Sequence, residues 1–88
     1  MNGYKIRKSA LINFNIIAKK VIPNCVLILL VDKTNKEIIN VFRDVNVATK
    51  CFDDMSSHYN FGDIELKYKT FQEVKSLFKE FWTTLVNA

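Results

Sequence analysis

Hydrophobic spacing along the chain changes period several times, and each change marks an element. Ala10, Phe14, Ile17 and Val21 recur at helical spacing with Leu11 and Ala18 beside them, while Asn13, Asn15, Lys19 and Lys20 are polar. This predicts a helix over 9–22, with Ser9 as its cap and Pro23 as its stop. A second period runs through the same stretch. Tyr4, Ile6, Ala10, Ile12, Phe14 and Ile16 all fall on even positions, so residues 4–17 also fit a strand. Cys25 to Val31 is apolar on both faces, as a central strand covered on two sides would be. Asp32 to Lys36 is polar and turn-forming, and Glu37 to Arg43 returns as a second strand.

Asp44 or Asn46 caps the next helix, in which Val47, Ala48, Cys51, Phe52, Met55 and Tyr59 follow three- and four-residue steps until Asn60, Phe61 and Gly62 end it. Asp63 to Lys69 alternates strictly. Ile64, Leu66 and Tyr68 share one face and Asp63, Glu65, Lys67 and Lys69 the other, the pattern of an edge strand with one wet face. Thr70 and Glu73 have the spacing of a capping box, which opens a helix from Phe71 to about Val86. Residues 1–8 read as a basic stretch, flexible or forming a brief strand. The expected fold is a single α+β domain over residues 1–88, in the order α-β-β-α-β-α, with a three-stranded, mainly antiparallel sheet packed with helices.

Composition narrows the class. With 88 residues, 49% of them hydrophobic, and one proline, the chain is sized for one core and too apolar for intrinsic disorder. Its longest wholly aliphatic run, Val26 to Val31, falls far short of the roughly 20 residues that cross a bilayer. Polar residues interrupt any signal-peptide core after Lys5, Arg7 and Lys8, so the expectation is a cytoplasmic, intracellular protein without membrane contact. Abundant Ile, Asn and Lys suggest AT-rich codons, as in a virus or mobile element.

The net charge of +4 is concentrated at the front, where Lys5, Arg7, Lys8, Lys19 and Lys20 precede the first acid, Asp32. Such a cluster suits either a solvated surface or phosphate contact.

Reactive constellations are scarce. Cys25 and Cys51 read as small core hydrophobes, and two Cys with one His at scattered positions lack zinc spacing, so no metal is expected. His58 is the only histidine, and its neighbours Ser56 and Ser57 point elsewhere on a helix. Asp53 and Asp54 are adjacent acids of the kind common on solvated helices. Two glycines exclude a glycine-rich phosphate loop. No cofactor and no catalytic residue is expected, and the chain reads as a non-enzyme.

What remains is surface. Phe71, Val74, Phe78, Phe81 and Leu85, widened by Leu77, Trp82 and Val86, make the last helix apolar over about half its circumference, beyond the usual stripe. Its excess predicts a partner-binding surface at Phe78, Phe81 and Trp82, joined by Glu65, Lys67 and Lys69 of the edge strand. The partner expected is a protein, a second copy included. The alternative is nonspecific nucleic-acid binding through Lys5, Arg7, Lys8, Lys19 and Lys20.

Two partial resemblances accompany this reading. Ile16 to Arg43, a helix followed by Ile-Pro-Asn-Cys-Val-Leu-Ile-Leu-Leu-Val-Asp and a returning strand, is similar to the opening of GAF- and roadblock-type sensor and scaffold domains. Val31 to Lys50 is similar in rhythm to small DNA-binding modules appended to homing endonucleases. No ligand-contact motif accompanies either, and no functional residue is carried across.

Overall fold

The computed structural model describes residues 3–20, 25–59 and 62–79. It contains β1 (Lys5–Ile6), α1 (Lys8–Lys20), β2 (Val26–Asp32), β3 (Glu37–Phe42), α2 (Val45–Ser56), β4 (Ile64–Thr70) and α3 (Phe71–Leu77). The fold is α+β, and the helix and strand order expected from the chain is present. The sheet has four strands rather than three, in the order β1-β3-β2-β4. The additional strand is β1, parallel to β3, held where Lys5 and Arg7 donate backbone N–H groups to the carbonyls of Lys36 and Ile38. Of the two readings of residues 1–8, flexible or a brief strand, pairing with β3 selects the strand.

The second period through residues 4–17 is settled by packing. Ala10 and Phe14 are buried on one side of α1, and Leu11, Ile17 and Ala18 flank them. Helix α1 starts at Lys8, so Ser9 lies inside it and is not its cap. The Ser9 hydroxyl instead donates to the Ile39 carbonyl at 2.8 Å. The other two starts follow the sequence: Asp44 Oδ1 accepts from the Asn46 and Val47 amides at α2, and Thr70 and Glu73 form the reciprocal capping box at α3. Helix α3 spans Phe71–Leu77, and its expected continuation to Val86 lies mostly outside the described residues.

Strand β2 is central and antiparallel to both neighbours. Leu27, Leu29 and Val31 face α1 and α3, while Ile28 and Leu30 face α2, which is why the strand has no polar side. Its partner β3 contains a bulge. Leu30 opposes Asn40 and Val31 opposes Ile38, leaving Ile39 as the extra residue. The insertion places Ile38 and Val41 in one core layer and Ile39 and Phe42 in the other, although each pair is three residues apart. In an unbroken strand such pairs would lie on opposite faces.

The β2–β3 turn is built around Asp32 and Lys36. Lys36 has a positive φ of 51°, a conformation that costs a side-chain-bearing residue energy glycine does not lose. Lys36→Gly is expected to raise stability by about 0.5 kcal/mol, after allowance for the greater freedom glycine gives the unfolded chain. Urea unfolding measures this, and a midpoint lower than that of the parent chain contradicts it.

Candidate interaction surfaces

The residues singled out for partner binding are distributed differently from expectation. Phe78 is fully buried and is not a surface anchor: its ring lies 5.1 Å from that of Phe14, in an edge-to-face contact under α1. Burial follows from helical spacing, since the Phe78 amide donates to the Val74 carbonyl and Phe78 shares one face with Phe71 and Val74, in the layer containing Leu27 and Leu29. Phe81 and Trp82 lie outside the described residues. Glu65, Lys67 and Lys69 are on β4, half-buried and on one face, where Lys67 approaches Glu65 at 3.6 Å and Lys69 approaches Glu73 at 3.8 Å.

Alternation places Tyr68 on the same face of β4 as Ile64 and Leu66. Ile64 is buried and Leu66 half-buried against α2, but Tyr68 is 59% exposed. The layer under α2 includes Ile64 and Leu66 and stops short of Tyr68. An aromatic ring is thereby left on a strand edge.

The two margins of the sheet are finished differently. On the outer side of β3, beyond the short β1, polar side chains take up backbone groups: Ser9 holds the Ile39 carbonyl, and Asn40 Oδ1 accepts from the Val41 amide at 2.9 Å. Asn13 donates to the same Asn40 oxygen at 2.5 Å and fixes the carboxamide in place. On this side the Ile39 carbonyl and the Val41 amide of β3 are both taken up.

Strand β4 forms the other margin. The Phe71 amide donates to the Cys25 carbonyl at 3.0 Å and the Lys33 amide to the Asp63 carbonyl at 2.8 Å, in register with the β2–β4 ladder. In an antiparallel ladder bonded and non-bonded residues alternate, so odd-numbered residues of β4 bond to β2. The N–H and C=O groups of Ile64, Leu66 and Tyr68 therefore point away from it, and no strand among the described residues lies on that side.

A second surface is a groove of about 250 Å³ beside the start of α2, lined by Ile16, Val41, Phe42 and Val47 together with Arg43 and Asp44. Ile12, Ile16, Val45 and Val47 are all substantially exposed near it on α1 and α2.

The basic front end is divided by the fold. Lys5 and Lys8 sit at one end of α1 and Lys19 and Lys20 at the other, roughly 17 Å away along the helix axis. Lys19 and Lys20 occupy the last turn, where cations offset the helix dipole. Arg7 is committed within the protein. Its guanidinium donates to the Tyr59 hydroxyl at 3.5 Å and forms an ion pair with Glu37. The bond to Tyr59, with Glu37 behind it and against the cost of burial, raises the Arg7 pKa and keeps it charged.

The groups considered for chemistry are occupied in ordinary ways. The Ser56 and Ser57 hydroxyls donate to the carbonyls of Asp53 and Asp54, and His58 is exposed with its amide bonded to the Met55 carbonyl. Burial, followed by the nearby Asp54 charge, pushes the Cys51 thiol up, away from thiolate reactivity. Among the described residues no cluster of three His, Cys, Asp or Glu side chains is arranged to hold a metal, and no helix is long and apolar enough to cross a membrane.

The residue that sequence reasoning passed over is Asp32, the first of the polar, turn-forming stretch; it is the last residue of β2 and is 1% exposed. Its carboxylate accepts from the Asn35 amide at 3.0 Å and the Asn35 carboxamide at 2.9 Å. The available signal was local, an Asp followed three residues later by Asn, the spacing of an Asx-type turn. No family model, no curated protein and no solved structure matches the chain.

Proposed function

We propose that the chain is a non-catalytic protein–protein interaction module that docks a partner strand along β4. The observation that carries this reading is the outward row of backbone groups at Ile64, Leu66 and Tyr68, beside an exposed Tyr68 ring. Such a row offers directional hydrogen bonds to an extended partner, and the flanking side chains supply selectivity. A small accessory or inhibitor protein of a virus or mobile element, occluding or bridging its target, is the biological setting this chemistry suits. Nonspecific nucleic-acid binding is the less supported alternative, because Lys5 and Lys8 lie at the opposite end of α1 from Lys19 and Lys20, and Arg7 is engaged by Glu37.

Isolation from the native cell, with the bound material identified, tests the reading. A protein at stoichiometric ratio is expected, and Tyr68→Pro is expected to release it. Proline there deletes an outward N–H and removes no bond to β2. Retention of the protein by the folded Tyr68→Pro variant overturns docking on this edge. Nucleic acid shed by salt in place of a protein transfers the function to the basic residues.

A further inference from the structure

Resting on the reading of β4 as a docking edge, we infer that its partner is β4 of a second copy, antiparallel, with Leu66 on the two-fold axis. The argument comes from the order of charges along the strand. When two identical strands pair about an axis normal to the sheet, residues of equal parity oppose one another, so each register is centred on one residue.

Centring on Glu65 sets that carboxylate against its own copy, and centring on Lys67 does the same with two ammonium groups. Centring on Tyr68 faces Lys67 with Lys69 twice. Centring on Leu66 sets Glu65 opposite Lys67 twice, Asp63 opposite Lys69 twice, Ile64 opposite Tyr68 twice and Leu66 opposite itself. Of these registers only the last contains no like-charge pair, and it matches apolar with apolar throughout.

Backbone geometry is compatible with this register and brings all three outward residues into it. Ile64, Leu66 and Tyr68 are the residues whose amides and carbonyls point outward, and centring on Leu66 opposes them to one another. About six inter-chain backbone hydrogen bonds would form. The Glu65–Lys67 contacts then fall at non-bonded positions, where side chains of opposing strands approach most closely. Joining the two margins produces one continuous sheet and sets the exposed Tyr68 ring against Ile64 of the second copy. A margin defended only against pairing would carry charge of one sign, whereas this one runs from two acids, Asp63 and Glu65, to two lysines, Lys67 and Lys69, so that a single antiparallel alignment is complementary.

The test is charge reversal in the full chain, read by sedimentation equilibrium over a concentration series. The parent chain is expected to dimerise. Glu65→Lys alone and Lys67→Glu alone each make both symmetry-related contacts repulsive, and each is expected to weaken the dimer about 10- to 100-fold. An equimolar mixture of the two variants restores opposite charges at both contacts and is expected to form a heterodimer. The double variant, Glu65→Lys with Lys67→Glu, preserves opposite charges within one strand and across two, and is expected to dimerise like the parent.

A parent chain that remains monomeric overturns the inference, as do single variants that dimerise unchanged or a mixture that does not associate. A monomeric parent whose stoichiometric partner is released by Tyr68→Pro overturns this inference while leaving the docking-edge reading intact.

Discussion

Phe14→Ala is expected to cost about 3 to 5 kcal/mol, a large part of the roughly 5 to 15 kcal/mol that holds a small domain folded. Phe14 is 1% exposed, its ring 5.6 Å from that of Phe71 and 5.1 Å from that of Phe78. It joins α1 to α3 over β2, with Leu27 and Leu29 in the same layer. Truncation removes the ring's transfer energy and leaves a void that two helices held against the sheet fill only partly. Urea unfolding followed by circular dichroism gives the measurement. A loss below about 1 kcal/mol would show that the layer closes over the gap and that Phe14 is not the joint between the helices.

The acid limb of stability should depend on Asp32. Burial alone raises a carboxyl pKa, but the amide and carboxamide of Asn35, with further help from Thr34 and the Arg7 charge, outweigh it and hold Asp32 below its ordinary value of 3.8. The sign follows from linkage. A carboxylate whose folded pKa is depressed contributes stability above its unfolded value and loses that contribution as pH falls through the folded one.

Asp32→Asn is therefore expected to destabilise the protein by about 2 kcal/mol at neutral pH, the scale for hydrogen bonds to a charged acceptor. It should also flatten the fall in stability below about pH 4. Unfolding midpoints of the two chains measured across that range provide the comparison, and parallel curves would remove Asp32 from the acid transition. Glu73, also held low by its capping bonds to Thr70, retains a shallow residual slope in the variant.

Legibility in the sequence followed the range of the interaction responsible. The cap offered by Asp44 or Asn46, the Thr70–Glu73 box, the apolar run Val26 to Val31 and the alternating β4 each express a preference set within a few residues, and each appears in the fold at the expected place, with Asp44 as the cap. Strand β1 and the hydroxyl contact from Ser9 depend on β3 lying beside the N-terminal segment, some 30 positions later in the chain, and the bulge at Ile39 depends on how β3 pairs with β2. No local pattern encodes them.

The same division applies to the candidate site. Strict alternation along β4 marked Glu65, Lys67 and Lys69 as one face of a margin, but which backbone groups face outward follows from the register with β2. Phe78 shows the opposite limit. Its spacing on an amphipathic helix described an apolar side chain in need of cover without identifying the cover, and the fold supplies it from Phe14.

By itself the sequence determined the α+β class, a helix start at Asp44 or Asn46 and another at Thr70, the burial of β2 on both faces and the marginal place of β4, because hydrophobic period and capping chemistry act over one or two turns. Only the tertiary structure decided that the sheet has four strands, that Asp32 is buried, that Phe78 is core and that Tyr68 is exposed. Those outcomes depend on which distant segments compete for the same two faces of one small sheet, and a side chain's burial is determined by that competition rather than by its neighbours in the chain.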